Sequence, residues 1–138
     1  MCLEIKSESD STPILQVATE DIVVYKFLEC TYEHFKTPYR GVKIKIGSSY
    51  HSKLLIDTED TEAVNSLKKL SSYNLTIINI GIHSFKNLES AIWYRDIYSD
   101  HIAVKCIIPN GSSYYLGEFK GCECYASDNI KYISIIED

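Results

Sequence analysis

The sequence predicts an α+β domain with one mixed or mainly antiparallel sheet of about six to eight strands and two helices. Segments rich in β-branched and aromatic residues recur along the chain, and such segments favour strands. Two other segments place apolar residues at helical spacing. At 138 residues the chain fits one globular domain over residues 21–138, preceded by a polar arm or edge strand over residues 1–20.

The first strands are predicted over residues 21–28 and 42–46. The earlier segment is mostly β-branched or aromatic. The later one alternates apolar and cationic side chains, which should turn Val42, Ile44 and Ile46 toward the core. The residues between the two strands include a proline and several aromatic side chains, and we expect them to form a long connection.

Two helices are predicted, over residues 57–70 and 87–98. The first begins in an acidic run, which supplies candidate N-cap residues. Its carboxylates also interact favourably with the positive N-terminal end of the helix dipole. Its apolar residues at helical spacing are Val64, Leu67 and Leu70. In the second, Asn87 is the expected N-cap. The stripe that follows along this helix contains Leu88, Ala91, Ile92 and Arg95.

Further strands are predicted on both sides of the second helix. They cover residues 50–56 and 75–80 before it and residues 101–109, 113–116 and 130–136 after it. The strand over residues 101–109 is mostly apolar, which favours a central position in the sheet. A Pro-Asn-Gly sequence ends it and predicts a tight turn.

Charge and composition exclude several classes of protein. The formal net charge is −5 and the chain has only two arginines, so we expect no direct binding to nucleic acid. The longest apolar stretches are too short to span a membrane. Acidic residues near the start stand where a secretory signal would be apolar, so we expect a cytoplasmic protein.

Five cysteines are an odd number, and in a cytoplasmic protein they are expected to be reduced. Cys122 and Cys124 are the one closely spaced pair, but no second pair follows at the spacing of a zinc site. We therefore expect no metal and no cofactor, and we expect the two cysteines to lie on one side of a strand or turn.

Few residues are suited to catalysis. The sequence has no G-x-S-x-G elbow and no G-x-x-x-x-G-K-[ST] phosphate loop. His83 and His101 stand beside predicted strand ends, where either one could act as a general base with Asp100 or Glu118. The commoner role of a single histidine at such a position is local packing. We therefore expect a protein that is not an enzyme.

Several residues are candidates for binding a ligand or a partner. Arg40 and Arg95 are the residues best suited to grip a phosphate, and Trp93 could stack a base beside Arg95. The alternative for this pair is that Trp93 packs the helix onto the sheet while Arg95 forms a surface ion pair. Tyrosine is abundant, with 11 residues, and tyrosine is enriched in recognition surfaces, although a coding bias would also raise its frequency. The tyrosines nominated for binding are Tyr50, Tyr114 and Tyr115.

The second half of the chain resembles small, mostly uncharacterised proteins of bacteriophages and mobile elements. The resemblance lies in G-x-H-x-F from Gly81, V-K-C-x-I-P-x-G-S-x-Y from Val104 and A-S-x-x-I from Ala126. It is more distantly similar, in element order, to phage anti-Thoeris proteins that sequester a cyclic ADP-ribose signal. In size and charge it is also similar to anti-CRISPR proteins.

These resemblances imply an anti-defence protein that binds without catalysis. The first expectation is an inhibitor that occupies a host defence protein. The alternative is a sponge that sequesters a cyclic nucleotide or cyclic ADP-ribose signal, with a homo-oligomer left open. A second alternative is a small nucleotide- or protein-modifying enzyme that uses His83 or His101.

Overall fold

Antiparallel strand pairing builds most of the structure. The computed structural model describes residues 3–7, 15–30, 34–38, 41–56, 74–98 and 100–137. These residues form thirteen strands and one helix, and every strand pair among them is antiparallel. Within the same ranges, no helix has the length and apolar character needed to cross a membrane.

The elements are numbered in chain order. The strands before the helix are β1 (Leu3–Ser7), β2 (Gln16–Val17), β3 (Ile22–Cys30), β4 (Phe35–Lys36), β5 (Lys43–Ile44), β6 (Ser49–His51), β7 (Leu55–Ile56), β8 (Asn74–Ile80) and β9 (Ile82–Phe85). The helix, α1, spans Leu88–Ile97. The strands after it are β10 (His101–Ile108), β11 (Ser113–Phe119), β12 (Cys122–Ser127) and β13 (Asn129–Ile135).

Ten of the strands form one continuous hydrogen-bonded series, in the order β6-β13-β10-β3-β9-β12-β11-β1-β8-β7. Off this series, β2 pairs with β11, and β4 pairs with β3 and β5. Strand β10 lies between β3 and β13, which confirms the central position predicted from its apolar sequence. Strand β1 has neighbours on both sides, β8 and β11.

The predicted α+β class, with six to eight strands and two helices, is wrong because the described structure is mostly antiparallel sheet. In the described ranges only α1 is helical, and it matches the helix predicted over residues 87–98. The other predicted helix, over residues 57–70, lies outside the described residues. The count of strands was too low because β2, β4, β9 and β12 were not predicted and because the segment predicted over residues 50–56 forms two strands, β6 and β7. Strands β2 and β4 have two residues each, which is too short to show any periodicity.

Strand β12 is the longest strand that the sequence pattern does not predict. Its residues include Cys, Glu, Ala and Ser rather than a run of β-branched side chains. It forms instead because a tight hairpin returns the chain along β11, with Phe119 opposite Cys122. The two residues of the turn, Lys120 and Gly121, both have positive φ, 48° and 83°, as the tight turns of hairpins require.

Two further expectations fail around β4 and β5. Residues 29–40 are not one long connection, because β3 continues to Cys30 and β4 pairs back onto it. Val42 is 46% exposed, whereas Ile44 is buried as predicted. The reason is that Val42 closes a turn: its carbonyl accepts a hydrogen bond from the Thr37 N–H, and its own N–H donates to the Thr37 hydroxyl.

Aromatic rings hold α1 against one face of the sheet. Ala91 and Tyr94 are the buried residues of the helix. The Tyr94 ring stacks on Phe27 and Phe85, with centroids 5.8 and 5.2 Å apart. Each such ring pair contributes about 0.5–1.5 kcal/mol beyond the burial of its surface. The stack therefore fixes α1 over β3 and β9.

A second apolar cluster fills the opposite face, which β3, β10 and β13 share. Alternation along β3 explains the division, since Val24 and Leu28 belong to this cluster while Phe27 belongs to the cluster under α1. The other buried members of the second cluster are Ile44, Val104, Cys106, Ile108, Tyr125, Ile130 and Tyr132. Cys122 and Cys124 lie on one side of β12, packed with the α1 cluster, as predicted.

Two fully buried serines test how far hydrogen bonding stabilises this sheet. Among the described residues the Ser84 hydroxyl has no hydrogen-bond partner, whereas the Ser127 hydroxyl donates to the Asn129 carbonyl at 3.0 Å. We expect Ser84→Ala to raise the free energy of unfolding by about 1 kcal/mol and Ser127→Ala to lower it by about 1 kcal/mol. Urea unfolding of both variants measures this, and equal losses in the two would contradict it.

Candidate functional site

A concave feature lies where β3 and β9 separate. These strands meet at a single pair, Tyr25 opposite Phe85. Beyond that pair they no longer form a ladder, and a cavity of about 240 Å³ opens there. We call it the β3–β9 cavity. The segments from β4 to β6 and strand β13 complete its walls.

Apolar and polar side chains line the β3–β9 cavity in equal number. The apolar side chains are Phe27, Pro38, Val42, Ile44, Ile82, Phe85 and Ile130. The polar ones are Lys26, Thr37, Tyr50, His51, Ser52, His83 and Tyr132. Apolar surface combined with placed polar groups is the usual character of a small-molecule site.

Gly81 shapes the wall where β8 turns into β9. Its φ is +150°, a conformation that other residues rarely adopt. A Cβ at this position would lie 2.7 Å from Cδ1 of Leu54, which is closer than such contacts allow. The residue after it, Ile82, and the next, His83, are thereby brought to the cavity.

Lys26 is the one cationic side chain among the residues that line the β3–β9 cavity. It lies on the same face of β3 as Val24 and Leu28, where the rest of the strand is apolar. Its ammonium donates a hydrogen bond to the backbone carbonyl of His83, 2.5 Å away. This bond crosses the gap at the point where the two strands have stopped pairing.

Burial alters the protonation of Lys26. Desolvation lowers its pKa to about 8, and the neighbouring Cys106 and Cys124 oppose this only in part. The ion pairs between described residues join other side chains, such as Lys36 with Glu29 and Lys86 with Glu123. Within the described ranges the charge is therefore compensated by a carbonyl dipole and not by a carboxylate.

Two tyrosines line the same cavity, and two cysteines lie near the Lys26 amine. Tyr132 stands edge-on to Tyr50, with ring centroids 5.4 Å apart. Burial raises the pKa of Tyr132, so its hydroxyl stays protonated and can donate a hydrogen bond. Burial also raises the pKa of Cys106 and of Cys124 to about 12, so both remain thiols at neutral pH and are poor nucleophiles.

The predicted site residues are divided between the cavity and the rest of the molecule. Tyr50 and His83 line the β3–β9 cavity. Trp93 and Arg95 lie on α1, where Trp93 is 60% exposed and Arg95 pairs with Asp96 at 2.9 Å. Arg40 lies outside the described residues.

The remaining predicted residues have packing contacts. Tyr115 is buried in the α1 cluster, and Tyr114 packs edge-on against Tyr125. The ring of His101 lies against Phe27 and Tyr98, with centroids 5.9 and 5.1 Å away. The described residues that line the β3–β9 cavity include no aspartate or glutamate.

Sequence reasoning missed Lys26 and Tyr132, which are central to the cavity. For Lys26 a signal was present, because a charged residue interrupts an apolar face of β3 between Val24 and Leu28. Tyr132 carried no comparable signal, since a tyrosine in a strand is ordinary. Only the tertiary structure places the two side chains around one space.

Comparison of the chain with protein families, with curated proteins and with solved structures finds no match. The resemblance to small phage proteins therefore stays a prediction. The described residues hold no group of three or more His, Cys, Asp or Glu side chains that could bind a metal ion. The β3–β9 cavity is therefore the candidate functional site.

The lowered pKa of Lys26 predicts a measurable pH dependence of stability. The folded pKa of about 8 lies below the ordinary value of 10.5, so between these values the unfolded chain binds more protons and stability rises with pH. Relative to Lys26→Met, the wild type should gain about 2 kcal/mol between about pH 7.5 and pH 10.

Urea unfolding of both proteins across this pH range measures the difference. Contributions from Cys106, Cys124 and Tyr132, whose raised pKa values make stability fall with rising pH, are common to both proteins and cancel. A difference that does not change with pH would show that the Lys26 amine is not desolvated in the folded protein.

Proposed function

We propose that this protein binds a small molecule in the β3–β9 cavity, and that the ligand carries one anionic group on a compact apolar body. The observation that carries the proposal is the Lys26 ammonium, which is desolvated beside a cavity and has no carboxylate partner among the described residues. A buried charge is costly unless it is paired. An anionic ligand would supply the missing partner.

The size and lining of the cavity support a ligand with one ring or a short chain. An engineered cavity of about 150 Å³ lined by apolar side chains takes benzene. At about 240 Å³, the β3–β9 cavity has room for a ring and a small substituent. Phe27 and Phe85 offer apolar contact for such a body, while Tyr132 can donate a second hydrogen bond to the anionic group.

Binding is better supported than catalysis. The cavity joins one desolvated ammonium to apolar side chains, which is the character of a binding site, and the two thiols near the ammonium are poor nucleophiles. The proposal thus follows the ligand-sequestering role that the sequence analysis gave as the alternative to an inhibitor of a host protein. It replaces the arginines and tryptophan expected around a nucleotide with Lys26 and Tyr132.

The proposal predicts selective, charge-dependent binding. In a calorimetric screen of benzoate, short-chain carboxylates, phenyl phosphate and cyclic nucleotides, we expect at least one anion to bind, and benzyl alcohol to bind at least tenfold more weakly than benzoate. Lys26→Met should lower the affinity for the anion at least tenfold, because its charge partner is lost. Affinity should also fall as pH rises through about 8, where Lys26 loses its proton.

Lys131→Met is the matched control, since Lys131 is exposed on β13, the strand that supplies Ile130 and Tyr132 to the cavity wall. It should bind the anion like the wild type. If the whole screen is silent, or if Lys26→Met binds the anion as tightly as the wild type does, the proposed site is incorrect.

A second candidate function is inhibition of a host defence protein by direct contact, and the outer face of α1 favours it. Trp93, Ile97 and Tyr98 are 60%, 52% and 43% exposed. Trp93 and Ile97 are one helical turn apart and form an apolar stripe. The acids Glu89 and Asp96 flank this stripe and are exposed, so it fits a partner whose apolar surface is rimmed by Lys or Arg.

Phage plating on bacteria that carry a defence system tests this second function. Expression of the protein should restore plaques, and Trp93→Ala should reduce that restoration at least tenfold, because a central aromatic anchor is lost. Leu116→Ala removes an exposed apolar side chain from β11 and should have no effect. Equal activity of the Trp93→Ala and wild-type proteins would exclude the α1 stripe.

A further inference from the structure

We propose that Lys26 captures small apolar aldehydes as an imine inside the β3–β9 cavity. This inference rests on the proposed function, since it assigns a second ligand chemistry to the same site. It would make the protein a covalent, reversible scavenger or carrier of reactive carbonyl compounds.

The surroundings of the amine suit this reaction. Burial desolvates Lys26, and apolar side chains such as Phe27 and Phe85 line the cavity beside it; apolar surroundings limit the water that would hydrolyse an imine. The partner of its ammonium is the His83 carbonyl, which can only accept a hydrogen bond. After deprotonation, the amine can therefore keep one N–H directed at this carbonyl and use its lone pair for attack.

The availability of the neutral amine separates Lys26 from ordinary lysines. With a pKa of about 8, roughly a tenth to a fifth of the side chain is neutral near pH 7.4, against about a thousandth for an ordinary lysine. Lysines that are desolvated in apolar sites form Schiff bases for this reason. Exposed lysines such as Lys43 and Lys45 lack this environment.

The reaction balances without any further reagent. The Nζ lone pair adds to the carbonyl carbon, and one nitrogen proton passes to the oxygen to give a carbinolamine. The hydroxyl then takes the second nitrogen proton, the C–O bond breaks, water leaves and the C=N bond of the imine forms. Tyr132 lines the same cavity with a hydroxyl that burial keeps protonated, so it can donate a hydrogen bond to the carbonyl oxygen during addition.

Trapping with benzaldehyde tests the proposal directly. The full chain is incubated with benzaldehyde and cyanoborohydride near pH 7.4, and the benzylated lysines are quantified by peptide mass mapping. We expect Lys26 to be modified at least tenfold faster than Lys43 or Lys45, which are internal controls within the same molecule. Tyr132→Phe should slow the modification of Lys26 severalfold, and Lys26→Met should leave the labelling of the other lysines unchanged.

The outcomes separate this inference from the proposed function. Fast labelling of Lys26 that benzoate suppresses supports both. Benzoate binding that depends on Lys26, without preferential benzylation, overturns the imine and leaves anion binding standing. Preferential benzylation without binding of any anion overturns the anion site and retains the imine. Uniform labelling with no anion binding overturns both.

Discussion

The interruption between β3 and β9 is the constraint on which the rest of the site depends. The two strands pair at Tyr25 and Phe85 and then separate, so the backbone groups beyond that pair need other partners. The Lys26 ammonium supplies one of them by donating to the His83 carbonyl. A side chain thus replaces a rung of the sheet, and the space beside it becomes the β3–β9 cavity.

The regular parts of the fold hold this gap open. On one face, the rings of Phe27, Phe85 and Tyr94 stack and fix α1 over the two strands. On the other face, the long β3–β10 ladder and the β10–β13 ladder form a continuous apolar layer. Because both faces are packed, the strands cannot close together without displacing side chains from one core or the other.

The desolvated Lys26 ammonium lowers the free energy of unfolding, and its proposed role in ligand binding accounts for its presence. Its charge is destabilising below a pH of about 8, and a carbonyl dipole compensates it less well than a carboxylate would. Proteins retain such groups most often where a ligand or a reaction needs them. Anion binding and imine formation each remove the uncompensated charge, the first by pairing it and the second by using the neutral amine.

The sequence by itself determined most of the longer sheet-forming segments, the helix Leu88–Ile97, the central apolar strand β10 and the shared side of Cys122 and Cys124. Each follows from local composition or periodicity. Only the tertiary structure decided the mostly antiparallel class, strand β12, the exposure of Val42 and the meeting of Lys26 with Tyr132. The physical reason is that short strands, turns and cavities depend on residues distant in the chain. The pairings of β3 with β9 and of β13 with β6 are examples. Such distant pairings leave no local periodicity in the sequence.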